Sequence, residues 1–569
     1  MQNIIITLLL LTTCFSTNAS DHIPSYYIEN IFHDNNSEIN QQYFDLQKDL
    51  RGIIYLAHPE GVYEFDGISR KLVPLANNKE AFSLAMDNNG KIYVGGRGEI
   101  GVLKATRKGD VDYIPLKATL PEYFKKYREP IVDIEIAGAK VIFMSDNFMF
   151  VLHSDLKDSI TVVQAPGYFY SSVAIGNELY VIDGMQGLLR LNGNNLDPIK
   201  GGQKIISYVM LPYEKEKVLI VSPTKGFIKF NPADTSFQYS ELTTNPLSEY
   251  EIKSGTALHN GNIALGSVRN GCIVTDIKGR LLYKVSSASG IADNSVYNIS
   301  QSGDGNIWLG LSQGAGLIYD RNTQETDTLE TTPFAAYVRN FSNRKNNSVI
   351  FSGNYVNSQN GIQTVNQPES QYHKFHYTVN GFKLSFSCNQ YHNREQIKYQ
   401  YKLEGLDHDW SEWSPSTTCE YTNLNWGDYV FKVRAKNGLE EISQPASYAF
   451  RIIVPWYESW WFYSIQIGIL LSLLVLAGFL YRSGKSEKMA GHVSGIVVVI
   501  LFKYVYLMLG PLFALVATGI ALFDILTSVI MAYLITPAQN LTNSTFERLL
   551  KKEKIENDSE KQENNSDEN

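Results

Sequence analysis

Gly290-Ile-Ala-Asp-Asn-Ser-Val-Tyr-Asn-Ile-Ser-Gln-Ser-Gly-Asp-Gly305-Asn-Ile-Trp308-Leu-Gly-Leu-Ser-Gln-Gly-Ala-Gly316-Leu-Ile-Tyr319 reads as a strand, an Asp-Gly turn, a second strand, a glycine turn and a third strand. Six earlier stretches align with it. The residue equivalent to Trp308 is Tyr55, Tyr93, Ile142, Tyr180, Leu219 and Ala264 in turn, at spacings of 38, 49, 38, 39, 45 and 44. A turn residue stands just before most anchors (Gly52, Gly90, Gly138, Gly176, Gly261, Gly305), with Glu216-Lys217 in the fifth copy. Most copies also carry a glycine shortly after the anchor. A period near 40 built from short alternating strands signals a β-propeller, whose blades bury their faces only by stacking around an axis. Seven copies predict a seven-bladed propeller over 25–330; the alternative is an irregular β-sandwich with chance periodicity. The apolar strand at 26–32, ahead of the first repeat, is the candidate to close the last blade.

Composition supports an all-β ectodomain. The chain has 569 residues, with 35 Tyr and 42 Gly, which allows two or three domains. A net charge of −8, with no basic cluster in the ectodomain, disfavours nucleic-acid binding.

The ends point to a membrane. An apolar run at 4–15 followed by Thr17 and Ala19 predicts a signal peptide, 1–19. Cys14 leaves a lipoprotein signal as the alternative. Residues 461–481 hold no charge, enough to cross a hydrocarbon core of about 30 Å, so α-helical transmembrane segments are expected to follow the ectodomain, the first at 460–481. Trp456, Trp460, Trp461 and Tyr463 crowd its outer end, and Arg482, Lys485 and Lys488 follow its inner end. A second apolar block, 493–535, predicts a transmembrane helical hairpin, and 536–569 a short cytoplasmic tail, helical near 546–554 and disordered after 556. Lys503 and Asp524 lie inside that block. Opposite charges there suggest an intramembrane ion pair; the alternative is a snorkelling lysine and a protonated or partner-facing aspartate. The expected location is the inner membrane, with the head in the periplasm and the tail in the cytoplasm.

Residues 335–454 predict a second ectodomain, a sandwich of immunoglobulin or fibronectin type III kind, from strands spaced by turns about every ten residues. Cys388 and Cys419 fall on the apolar faces of two of its strands. In an oxidising compartment they make either a cross-strand disulfide or two core thiols. Cys272 reads as a core residue of a blade. Trp410-Ser-Glu-Trp413-Ser, placed after the second strand, reads as a turn stabiliser rather than a receptor motif. His373, His376 and His392 read as exposed polar residues, with no metal expected.

Several motifs carry a family resemblance. Ile397-Lys-Tyr-Gln-Tyr-Lys-Leu-Glu-Gly-Leu-Asp-His-Asp-Trp410, then Tyr421-Thr-Asn-Leu424, then Gly427-Asp-Tyr429-Val-Phe-Lys-Val-Arg-Ala-Lys-Asn437 resemble the three-tyrosine (Y_Y_Y) domain. The repeat resembles the regulator propeller of the same family, and together the two cover about 25–481. The resemblance implies the periplasmic sensor region of two-component regulators, often hybrid histidine kinases that respond to glycan fragments. This chain departs from the family after 481: no kinase or DNA-binding pattern follows, so no kinase activity is carried over. A homodimer or a partner sensor kinase is the implied partner.

Residues just before the inner strands of a propeller ring one mouth of its channel. Alignment with Asn294 picks Tyr43, Glu80, Glu129, Tyr170, Tyr250 and Asn294 itself. Aromatic faces stack on sugars, and acids and amides bond hydroxyls, so this ring suits an oligosaccharide; the plainer reading is a solvated loop set. No catalytic constellation emerges from spacing, and neither an enzyme nor a cofactor is expected. The leading reading is a membrane-anchored, extracytoplasmic ligand sensor without its own output domain, acting through a partner or degenerate. The alternative is a glycan-binding or adhesive membrane protein with no signalling role, and a propeller lyase or hydrolase ranks third.

Overall fold

A computed structural model describes residues 26–32, 42–153, 159–240, 246–303, 305–320, 333–356, 363–364, 366–482 and scattered positions from 492 to 555. Seven four-stranded antiparallel sheets follow one another along the chain, at 45–73, 81–115, 133–164, 169–198, 209–239, 252–285 and 296–320, here called blades 1 to 7. Their inner strands are Asp45–Lys48, Ala81–Met86, Asp133–Ala137, Phe169–Ile175, Val209–Tyr213, Ile252–Ala257 and Val296–Gln301. Each inner strand packs against that of the next blade, and blade 7 packs against blade 1, so the ring closes. Blade 7 takes its fourth, outer strand from Tyr26–Ile31, which pairs antiparallel with Ala315–Asp320. Such a strap ties the two ends of the propeller together through ladder hydrogen bonds.

The repeat anchors explain why the blades stack. Tyr55, Tyr93, Ile142, Tyr180, Leu219, Ala264 and Trp308 all sit on the second strand of their blade and all are buried. Every interface between neighbouring blades has its own hydrophobic cluster. One joins Ala137, Ile142 and Met149 of blade 3 to Phe169, Leu179 and Val181 of blade 4, and another joins Trp308 and Leu317 of blade 7 to Leu46 and Tyr63 of blade 1. Burying a large apolar side chain contributes about 1.5–3 kcal/mol, so the ring is held by many such contacts shared between sheets. The glycine that turns the second strand into the third is needed for its backbone. Gly271 has φ +80°, and a Cβ there would lie 2.2 Å from the Val285 carbonyl oxygen.

The second β-domain is a sandwich. One sheet orders Val349–Phe351, Ala336–Asn343, Phe382–Cys388 and Thr418–Tyr421; the other orders His373–Phe375, Ala446–Ile452, Gly427–Lys436 and Lys398–Glu404. Phe341, Phe382, Phe386, Phe431, Tyr448 and Phe450 fill the space between them. Trp410 and Trp413 lie along the outside of the second sheet, with the Arg434 guanidinium 4.3 Å and 5.5 Å from their rings. Lys402 and Lys436 flank this ladder at 5.4 and 5.2 Å. It pins the 410–414 segment to the sheet, the work of a turn stabiliser.

The candidate disulfide is corrected. Cys388 and Cys419 are both free and buried. Cys419 pairs across the sheet with Leu384, four positions along the strand from Cys388. At about 3.4 Å per residue that is roughly 13 Å, far beyond the reach of an S–S bond. Cys388 instead meets the Tyr399 hydroxyl at 3.5 Å.

A separate unit begins at 453. It holds a 23-residue helix, Trp460–Arg482, over the first expected span. Among the described residues, no helix is long and apolar enough to cross a membrane. The signal peptide, Lys503, Asp524 and most of the expected hairpin and tail lie outside the described residues.

Candidate functional site: an aromatic collar at the channel mouth

The ladder register defines seven equivalent positions where the inner strands begin. In blades 2, 4, 6 and 7 the pairing skips one residue there: Phe82, Tyr170, Lys253 and Tyr297 are the extra residues of β-bulges. A bulge turns its extra residue out of the ladder and aims the side chain away from the sheet. Phe44, Val132 and Tyr208 hold the same place in blades 1, 3 and 5, one residue before Asp45, Asp133 and Val209. Five of these seven residues are aromatic.

Their contacts trace a collar around the axis. Phe44 meets Phe82 at 4.7 Å and Tyr297 at 6.0 Å, which links blades 2, 1 and 7. On the far side Tyr170 meets Tyr208 at 5.0 Å, and the Lys253 ammonium sits 3.3 Å from the Tyr208 ring centroid, which links blades 4, 5 and 6. Val132, 45% exposed, fills the gap in blade 3. Tyr297 is 36% exposed, and the other four rings are half-buried, so their faces are available at the mouth.

Below the collar the channel wall is acidic. Asp45 accepts from the Leu84 amide at 2.6 Å and from Asn298 Nδ2 at 2.7 Å. Asp133 accepts from the Ser172 hydroxyl at 2.7 Å, and Glu135 from the Ala174 amide at 3.2 Å. Leu84 and Ala174 lie on inner strands, whose free edges no further strand covers. Asp45 and Glu135 therefore cap open amides of the neighbouring blade. All three are half-buried. Burial pushes Asp45 up to about 7, against the pull of the Leu84 and Leu46 amides. Burial, then the nearby Asp133 charge, pushes Glu135 up to about 8, and burial raises Asp133 as well.

Of the six residues picked by sequence, the structure puts Tyr170 in the collar and the other five elsewhere. Tyr43 is a correction: it is fully buried, packs on Phe32 and His58, and its hydroxyl accepts from Arg70 at 2.9 Å. It stands one residue before Phe44, and alternation along the strand sends it into the blade 7–blade 1 core. Glu80, Glu129, Tyr250 and Asn294 stand in the connections that lead into inner strands. Glu80 pairs with Arg97 at 3.0 Å, and Glu129 accepts from Tyr127 and Asn147. Tyr250 packs against the blade 5–blade 6 cluster, and Asn294 accepts from the Ser287 amide. Phe44, Phe82, Val132, Tyr208, Lys253 and Tyr297 were missed. A signal was available: counting back from each buried anchor through the ladder reaches them, whereas counting through loops of unequal length does not.

The sandwich docks at the opposite end of the propeller, against blades 1, 2 and 7. Inner strands end at the 49–52 loop, and sandwich side chains meet that loop and the turns at 66–67 and 108–109 on the same face. The Tyr337 hydroxyl donates to Arg51 O, and that of Tyr391 to Gly52 O, both at 2.6 Å. Asn354 Nδ2 donates to Gly109 O at 2.7 Å. At the centre, Arg339 of the sandwich reaches Glu64 and Asp66 of blade 1, each at 2.7 Å, with all three buried. Arg51 and Asp49 form a second buried pair at 2.6 Å. Burial alone would raise Glu64, yet Arg339, Arg51 and Lys71 hold it below its ordinary range. Asp66 is held down against burial by Arg339 and by amides of its own turn. His392, expected to be exposed, is half-buried at this seam and stacks on Tyr319 at 4.3 Å. A cavity of about 190 Å³ lies beside it, lined by Ile68, Cys388, Arg394, Ile397 and Tyr399. Arg394 is already engaged by Glu29 and Gly67 O.

Among the described residues no set of His, Cys, Asp or Glu is grouped to hold a metal. The Y_Y_Y domain profile matches residues 390–454. No curated protein sequence matches the chain. Among solved structures, the extracellular domain of BT4673 from B. thetaiotaomicron, described as a hybrid two-component system, is 16% identical. It covers 76% of this chain and 60% of its own, with a TM-score of 0.41. That of BT3049 from the same organism, described likewise, is 15% identical, covers 75% and 57%, and has a TM-score of 0.39. YCF48 from Cyanidioschyzon merolae is 12% identical, covers 52% and 99%, with a TM-score of 0.40. The chain thus spans about three fifths of the two-component domains it resembles. Residues 390–454 thus match the Y_Y_Y domain, and about three quarters of the chain aligns with the extracellular domains of BT4673 and BT3049.

Proposed function

We propose that this chain is a membrane-anchored, extracytoplasmic ligand-sensing protein that binds a glycan fragment on the propeller collar. The observation that carries the reading is the collar: five aromatic rings at register-equivalent positions around one channel mouth, on the face away from the sandwich. Sugar rings present flat C–H faces that stack on aromatic rings, and neighbouring polar groups bond their hydroxyls. The uncharged stretch 461–481 within the helix Trp460–Arg482 supports the anchor, as does its aromatic outer end. The chain is read as a binding protein and not an enzyme.

The seam supports a route for the signal. Buried ion pairs tie the sandwich to blade 1, so the propeller and the Y_Y_Y domain respond together. Ligand then acts on association, with a second copy or a sensor kinase, and only through different affinity for the two association states. The test is equilibrium binding of full-length protein to a panel of oligosaccharides, alongside Tyr208→Ala and Phe44→Ala. Binding lost in both variants, with folding intact, is the expected result; an unchanged affinity would remove the collar from the reading. Co-purification from membranes with and without ligand separates sensing from adhesion. Capture of neither a second copy nor a kinase, while glycan still binds, would leave a glycan-binding protein with no signalling role.

A further inference from the structure

We infer that the collar selects a sugar ring bearing an oxyanion, a carboxylate or a sulfate ester, and that Lys253 and Arg97 hold it. This rests on the glycan reading above and narrows it to one chemical class. Lys253 is the one cation among the seven collar positions. Its side chain is exposed, and its ammonium faces the Tyr208 ring at 3.3 Å. Among the described residues that ammonium has no carboxylate within ion-pair reach. The acid nearest in sequence, Glu251, is 3.6 Å from Arg269. An ammonium lying on a ring still has N–H groups to donate, and here they sit at the channel mouth.

Arg97 matches it across the mouth. Its guanidinium lies 5.2 Å over the collar ring of Phe82, in blade 2, three blades from Lys253 around the ring. Among the described residues its side chain is bound only to Glu80, through Nε at 3.0 Å, which leaves both terminal nitrogens to donate. Two cations with spare donors therefore flank a pair of aromatic walls. The channel floor offers no such donor: among the described residues no lysine or arginine bonds to Asp45, Asp133 or Glu135. An anionic group therefore finds its cations at the rim and not beside these carboxylates. The ligand lies across the mouth, with one ring stacked on Phe44, Phe82 and Tyr297 and its oxyanions on Lys253 and Arg97. A purely structural role for both cations, as covers for exposed rings, predicts no dependence on ligand charge.

The test is calorimetry on full-length protein with three hexasaccharides: an oligogalacturonate, a sulfated galactan fragment and neutral maltohexaose. At least one acidic ligand should bind about tenfold tighter than the neutral one at low salt, and added salt should shrink that margin. The ranking of the two acidic ligands tells carboxylate from sulfate. Lys253→Met should lose about tenfold for the acidic ligand and much less for maltohexaose, so that the preference disappears, with Lys253→Arg retaining it. Equal binding of neutral and acidic ligands, or no effect of Lys253→Met, overturns this inference and leaves the glycan reading in place. Failure of all three to bind the parent protein overturns both.

Discussion

The two faces of the propeller are built from the same short loops and put to opposite use. At the seam, charges are buried and matched: Arg339 is shared by Glu64 and Asp66, and Arg51 is held by Asp49. At the collar, rings are half-open and the cations beside them keep unused donors. A buried charge costs several kcal/mol unless paired, so such a network persists only where the partner surface stays docked. Half-exposed aromatic rings cost little alone and leave capacity for a visitor. The contrast teaches that the sandwich is a permanent fitting, whereas the other mouth keeps the open rings and spare donors on which the proposed binding rests.

The strongest way to break that contrast is Arg339→Met. It strands two buried carboxylates, so about 3–5 kcal/mol of stability should be lost, read as a lower thermal midpoint. Adding Glu64→Gln and Asp66→Asn should recover part of it. Little loss on Arg339→Met alone would mean that the seam charges are hydrated and the sandwich is loosely docked.

Acid–base behaviour sharpens the comparison, because the two faces carry shifts of opposite sign. Asp45 and Glu135 bind protons more tightly folded than unfolded, from ordinary values of 3.8 and 4.5 up to about 7 and 8. Their favourable contribution is full below about pH 4 and fades as the pH rises toward 8. Glu64 and Asp66 are shifted down, so their contribution is present at neutral pH and fades on acidification. Asp45→Asn with Glu135→Gln should therefore gain about 2–4 kcal/mol relative to the parent at pH 8, and much less at pH 4. Denaturant midpoints measured across that range check it, and a gain that does not grow with pH refutes the assignment.

The smallest effect concerns the core of the sandwich. With Cys388 and Cys419 unpaired and buried, a reductant should leave the thermal midpoint unchanged. A drop of several degrees would reveal a disulfide and a different strand register.

Much of the fold was legible because burial repeats. Each blade needs one large or well-packed residue on its second strand, and Trp308, Tyr55 and Tyr180 announce it even where Ala264 does not. The strand Phe382–Cys388 was readable from its alternation, and the closing strand Tyr26–Ile31 from its position before the repeats. The ribbon at Ala336–Asn343 was harder, since Arg339, Asn340 and Ser342 interrupt its apolar pattern, Arg339 in order to reach the seam.

The sequence by itself determined the number of repeats, their order along the chain and the residues that fill the spaces between blades. Those follow from local alternation and turn chemistry, which neighbouring residues carry. The tertiary structure alone decided the site. Blade connections differ in length, so loop counting puts the ring on Tyr43 and Glu80, whereas bulges at the head of the inner strands bring Phe82, Tyr170, Lys253 and Tyr297 to one mouth. A one-residue slip in a strand exchanges its two faces, and that slip separates the buried Tyr43 from the collar residue Phe44.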